Sequence, residues 1–174
     1  MTAFSASQCT WVEEGGGTAA AQRCLDFLDS VGIEVGQMGD SKEQRLEGLA
    51  IVDGRLLIDP KTLVWPSDLL HEGGHIAVAA PEDRPTLGPI EPDGADEMMA
   101  MAWSYAASLK CDIGLEELFH SGGYRGDGEM LREAFSSGAY IGAPMLGFYE
   151  MTAPAGTPNE PGSGAFPTMS RWLR

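Results

Sequence analysis

The chain has 174 residues, 43% of them hydrophobic, which is enough for one domain with a buried core. Its 26 acidic and 11 basic side chains give a formal net charge of −15. This charge repels nucleic acid and anionic membranes, so neither is expected as a partner, and it attracts basic peptides or basic protein surfaces. Solubility alone would also account for it.

The cysteine content points to a reducing compartment. Cys9, Cys24 and Cys111 are odd in number and lack CxxC spacing, which argues against a disulfide framework and against a cysteine zinc site. The N-terminal sequence has no signal-peptide pattern, and no apolar stretch has the length needed to span a bilayer. We therefore expect a cytoplasmic protein with no membrane partner.

The first predicted helix follows an irregular N-terminal arm. The arm, residues 1–17, ends in three consecutive glycines. Beyond it, Ala21, Leu25 and Leu28 recur at helical spacing, and Gly32 is a stop signal. The sequence therefore predicts a helix from residue 18 onwards.

A β-hairpin is predicted over residues 49–59, LAIVDGRLLID. Two apolar runs flank Asp53-Gly54, a pair that suits a type I′ turn because both central residues need positive φ. Pro60 ends the second strand. Residues 33–39, IEVGQMG, could add a short edge strand.

The segment WPSDLLHEGGHIAVAAP, residues 65–81, is predicted as a helix. Pro66, Ser67 and Asp68 supply start signals, and Pro81 supplies the stop. This helix contains HEGGH, the most informative motif of the chain.

The rest of the chain is predicted to be mainly helical. Residues 81–94 form a proline-rich loop, and the Ala/Met-rich residues 95–110 form a helix. Two shorter helices are predicted over 115–120 and 128–138. Residues 136–150 are predicted as an irregular wall or lid, or as a small buried cluster. Residues 153–174 are dense in Pro and Gly and are predicted as a C-terminal arm that folds back or docks on a partner.

The predicted fold is one α+β domain over 18–152, with a small antiparallel sheet beside the HEGGH helix.

His71 and His75 are spaced to share a metal ion. Residues four apart lie on one helix face, about 5–6 Å apart at Cβ, and imidazole is a good zinc ligand. Glu72 could accept a proton from a metal-bound water, which is the HExxH mechanism. Two surface histidines on an ordinary amphipathic helix are the alternative.

Gly73 and Gly74 are costly inside a helix, by about 1 kcal/mol each relative to alanine. Without side chains they allow a close approach to the helix. Tight packing of a neighbouring helix or strand is the favoured reason, and close passage of a bound peptide is the other.

A catalytic zinc site needs a third protein ligand. The HExxHxxGxxH pattern is excluded because Val78 and Pro81 stand where it requires glycine and histidine. Glu97, which opens the Ala/Met-rich helix, is the preferred third ligand. The alternatives are Asp96, and then Glu91 and Asp93 in the loop. Glu97 could instead only favour the helix dipole.

HEGGH followed by Glu97 resembles the gluzincin branch of the zincin metallopeptidases. The order of helix, Asp-Gly hairpin, HExxH helix and glutamate helix is similar to that of compact ImmA/IrrE-type domains. The resemblance covers roughly residues 18–110. It departs from the family at Gly73, where a bulkier apolar residue is usual, and on the Glu97 helix, where a methionine replaces a second acid.

The resemblance implies a zincin-like fold and one Zn²⁺ per chain, although manganese, iron or nickel stay open. It implies hydrolysis of a peptide or protein substrate by a metal-bound water, with Glu72 as general base. An oxyanion helper is often His, Tyr or Arg, and His120, Tyr124 and Arg125 are the candidates. His120 could instead be an ordinary helix-end residue. Two broader alternatives are a metal-binding but non-catalytic regulatory module, and a chance motif without metal.

Overall fold

The computed structural model describes residues 4–39, 46–89 and 93–174, and it has the mixed α+β composition that the sequence predicts. Its helices are α1 (Gly17–Ser30), α2 (Asp68–Val78), α3 (Gly94–Cys111), α4 (Leu115–Leu118), α5 (Gly128–Ser136) and α6 (Ala143–Phe148). Its strands are β1 (Thr10–Trp11), β2 (Val35–Gln37), β3 (Leu49–Val52), β4 (Arg55–Ile58) and β5 (Leu63–Val64). Within the described ranges, no helix combines the length and apolar character that a bilayer span requires.

The predicted hairpin is confirmed as β3 and β4, which pair antiparallel with Val52 opposite Arg55. Asp53 and Gly54 form the turn with φ of 49° and 71°, the positive values that a type I′ turn needs. The edge strand is confirmed as β2, which lies on the other side of β4.

The sheet is mixed, however, and the prediction of an antiparallel sheet is wrong for one of its pairs. Strand β2 runs parallel to β4. The chain reverses once between β2 and β3 and again in the hairpin, and two reversals leave β2 and β4 running the same way.

Helix α2 lies at the centre of the molecule, with every residue from Leu69 to Val78 buried. A Cβ added to Gly74 would lie 2.9 Å from the Ala100 carbonyl oxygen of α3. A Cβ on Gly73 would lie 2.6 Å from Cδ2 of Leu28 on α1. The prediction that the two glycines allow tight helix packing is therefore confirmed.

The N-terminal segment predicted as an arm contacts the core in its described part, residues 4–17. Strand β1 pairs in parallel with β5, placing Trp11 beside Val64. The Trp11 indole is buried and donates to the Ala6 carbonyl at 2.7 Å.

The C-terminal part contains one helix that the sequence pattern did not predict. Helix α6 falls within residues 136–150, and its N-cap Gly142 has φ of 87° and lies against the Met98 backbone of α3. The hydrophobic pattern of the sequence does not reveal α6, because this helix is short and is held in place by the contact with α3.

Residues 153–174, all of which the structure describes, contain no helix or strand but fold back on the domain. The Trp172 ring packs edge-on against Phe27 of α1 and Trp103 of α3. The Trp103 indole donates to the Trp172 carbonyl at 2.9 Å. Of the two predicted alternatives for this segment, the structure has the one in which it packs on its own chain.

Candidate metal centre

Helices α2 and α3 bring two imidazoles and one carboxylate together. His71 and His75 lie one turn apart on α2, and their Nε2 atoms are 3.2 Å apart. Glu97, in the first turn of α3, places Oε1 3.2 Å from Nε2 of His71 and Oε2 3.2 Å from Nε2 of His75. These three residues are called the triad below.

The spacing of the triad suits a metal ion of the size of Zn²⁺. Ligands at about 2.0–2.1 Å in tetrahedral geometry lie about 3.3–3.4 Å from one another. The two Nε2 atoms are 3.2 Å apart, and each lies 3.2 Å from one oxygen of Glu97, which is close to that value. The group could therefore hold a metal ion with only small movements of the side chains.

Two of the other proposed third ligands, Asp93 and Asp96, lie outside this group. Asp93 is the N-cap of α3 and accepts a hydrogen bond from the Asp96 amide at 2.9 Å. Of the described carboxylates, Glu97 alone joins the two histidines, and Asp96 lies outside the group. Glu91 falls outside the described residues.

The charges in the triad favour a cation. Hydrogen bonds from His71 and His75 hold the pKa of the Glu97 carboxyl well below its usual range, so that Glu97 is ionised. Burial lowers the pKa of His71, but its hydrogen bond to Glu97 and the nearby carboxylates of Glu72 and Asp68 outweigh burial and raise it. The negative potential that attracts a proton to His71 would equally attract a metal ion.

A cavity of about 910 Å³ adjoins the triad and supplies room for a ligand. Glu72 lines this cavity and is itself only 2% exposed. It follows His71 directly in α2, so its carboxylate lies near the triad without belonging to it. This placement suits the role of proton acceptor that the motif predicts.

His120 lies behind the cavity wall. Its Nε2 is 2.8 Å from Oδ1 of Asp68, and Asp68 is the residue that faces the cavity. The His120 ring stacks on Trp65 at a centroid distance of 4.0 Å and an interplanar angle of 3°. These contacts attach the beginning of the 120–127 loop to the start of α2.

Tyr124 and Arg125 both line the cavity and both have positive φ, 53° and 54°. The Tyr124 hydroxyl lies 3.4 Å from Nδ1 of His71, the ring nitrogen that does not face Glu97. Burial, with the nearby carboxylates, raises the pKa of this phenol, so it stays protonated. The structure thus places Tyr124 against a proposed metal ligand.

Asp68 is the site residue that sequence reasoning missed, because it was interpreted only as a helix start. A signal was available: Asp68 precedes His71 by three residues, so both lie on the same face of α2. Its partner His120 is 52 residues away along the chain, and only the folded structure shows that pairing.

Comparisons of the chain with protein-family models, with curated proteins and with solved structures give no match. The resemblance to gluzincins therefore rests on the motif, on the order of elements and on the geometry of the triad.

Proposed function

We propose that this protein is a zinc-dependent hydrolase that cleaves peptide bonds, with the triad as its metal site. The observation that carries the proposal is the convergence of the two Nε2 atoms, 3.2 Å apart and each 3.2 Å from an oxygen of Glu97, beside a cavity of about 910 Å³. A triad of two histidines and a glutamate is a ligand set of catalytic zinc, and it leaves a coordination position open.

Each residue has a distinct role in the proposed reaction. His71, His75 and Glu97 would hold the ion, which would supply a Lewis acid that activates water and polarises a carbonyl oxygen. Glu72, buried at the cavity wall, accepts the proton from the attacking water and passes it to the leaving amine.

The cavity supports a substrate larger than a single amino acid. Its volume of about 910 Å³ lies in the upper part of the range of about 300–1,000 Å³ that is common for ligand sites. Asp68, Asp93 and Asp127 add negative charge to its wall, while Arg125 is the only Arg or Lys among the described lining residues. We therefore expect a preference for neutral or basic side chains beside the scissile bond.

The proposed fold assignment is a zincin-like domain of the gluzincin type. Supporting it are the order α1, hairpin, α2 and α3, and the position of Glu97 in the first turn of the helix that packs on α2. A cytoplasmic location stays a prediction from the cysteine content.

Elemental analysis of the untagged protein, beside Glu97→Ala and Asp96→Ala, tests the metal site. We expect one zinc ion per chain in the parent and in Asp96→Ala, and none in Glu97→Ala. Asp96 is the matched control because it is the neighbouring acid on the same helix turn. A parent chain that stays free of metal after zinc is added would contradict the proposal.

Hydrolysis of a peptide library by the parent and by Glu72→Gln tests the chemistry. Loss of a general base should lower kcat by about 10²- to 10⁴-fold while the zinc content stays the same. A parent that binds zinc but cleaves no peptide would support the non-catalytic alternative instead.

A further inference from the structure

We propose that Tyr124 is a positioning residue for the metal site: its hydroxyl contacts Nδ1 of His71 and holds the ring with Nε2 turned toward the other members of the triad. The inference rests on the proposed function, because it takes His71 as a metal ligand. It assigns Tyr124 a different role from the oxyanion helper that the sequence suggested.

The contact between the two side chains is specific to one ring nitrogen. The Tyr124 Oη lies 3.4 Å from Nδ1 of His71, and the rings meet edge to face at a centroid distance of 5.1 Å. Nε2 of the same imidazole lies 3.2 Å from Glu97. The phenol and the triad therefore use different nitrogens of one ring.

When Nε2 of His71 binds an ion, the Tyr124 oxygen is placed to accept a hydrogen bond from Nδ1–H. A neutral imidazole carries one hydrogen, so a hydrogen on Nδ1 leaves a lone pair on Nε2. That lone pair lies on the side of the triad. Partners of this kind on the far nitrogen of a metal-bound histidine fix the orientation of the ring and raise its affinity for the ion.

The backbone at Tyr124 indicates that this placement is maintained at some energetic cost. A φ of 53° is unfavourable for a tyrosine, and Arg125 follows with 54°. Such conformations are unfavourable for residues other than glycine and persist where surrounding contacts enforce them. The pair His120–Asp68, at 2.8 Å, is one such contact, since it joins the beginning of the same loop to α2.

The test compares Tyr124→Phe with Tyr140→Phe in the full chain. Tyr140 is a matched control because it is partly buried in an aromatic cluster with Tyr105 and Phe166, away from the cavity lining. Zn²⁺ affinity is measured by competition with a chromophoric chelator, and the visible absorption of the Co²⁺-loaded protein reports ligand geometry. We expect Tyr124→Phe to bind Zn²⁺ about 10- to 100-fold more weakly and to change the Co²⁺ spectrum, and Tyr140→Phe to match the parent.

The outcomes separate this inference from the proposed function. If the parent binds Zn²⁺ and Tyr124→Phe has the same affinity and the same Co²⁺ spectrum, the positioning role is overturned and the metal site stands. If the parent binds no Zn²⁺, both are overturned. Should Tyr124→Phe fail to fold by circular dichroism, ¹⁵N NMR of the histidine side chains in the Zn²⁺-loaded parent decides. A His71 Nδ1–H that is protected from exchange with solvent supports the inference, and one that exchanges as fast as in free imidazole refutes it.

Discussion

Two histidine–carboxylate clusters each include residues of α2, and they differ in geometry. In the triad, each oxygen of Glu97 faces the Nε2 of a different histidine, so the two imidazoles and the carboxylate converge. In the second cluster, here called the clasp and made of Trp65, Asp68 and His120, a single imidazole meets a single carboxylate at 2.8 Å, and its ring lies flat on the indole.

The difference explains why only one of the two clusters is proposed as a metal site. Convergence in the triad requires two histidines one turn apart and an acid carried to them by a second helix. The clasp offers two polar groups only, and Trp65 covers one face of the imidazole. We interpret the clasp as a contact that joins the 120–127 loop to α2, and the triad as a site for a cation.

Removing one histidine from each cluster is the most direct test of whether the triad, and not the clasp, binds the ion. His75→Ala should abolish stoichiometric Zn²⁺ binding, because it deletes a ligand, whereas His120→Ala should keep it. Thermal melts supply a second readout. Zinc at a thousand times its Kd should stabilise the parent and His120→Ala by about 4 kcal/mol, but not His75→Ala. Equal loss of zinc in the two variants would contradict the distinction.

The close crossing of α2 and α3 that assembles the triad can be tested at its two glycines. Gly74→Ala should destabilise the zinc-free protein by about 1–3 kcal/mol, because its Cβ would meet backbone atoms of Ala100 at 2.9–3.4 Å. Gly73→Ala should cost less, since its close contact is the flexible end of Leu28 and alanine favours the helix. Urea unfolding of both variants measures the difference. A larger loss for Gly73→Ala would mean that α1, rather than α3, sets the position of the motif.

The smallest expected effect concerns the clasp itself. A double-mutant cycle of His120→Ala and Asp68→Ala in zinc-free buffer should give a coupling free energy of about 1 kcal/mol, as for one partly buried hydrogen bond. Urea unfolding of the parent, the two single variants and the double variant supplies the four values. Strictly additive losses would show that the two side chains do not interact in solution.

Much of the central region could be predicted because its signals are local. The hairpin turn follows from Asp53-Gly54, since the backbone there needs positive φ. The pairing of His71 with His75 follows from the helical repeat alone. Glu97 could be proposed because few acids open the next helix, and the structure then selects it over Asp96 and Asp93.

The sequence alone determined which chemistry the chain carries, and the tertiary structure decided which groups meet. HEGGH contains two imidazoles and a carboxylate within five residues. Their relative placement can be predicted because helix geometry relates residues that are a few positions apart. The contacts His71–Tyr124 and Asp68–His120 join residues 53 and 52 positions apart. No local periodicity encodes such contacts, because they depend on how whole helices and loops pack. For the same reason, the sequence could offer Tyr124 and His120 only as equal candidates. The fold distinguishes them, because Tyr124 contacts His71 and His120 contacts Asp68.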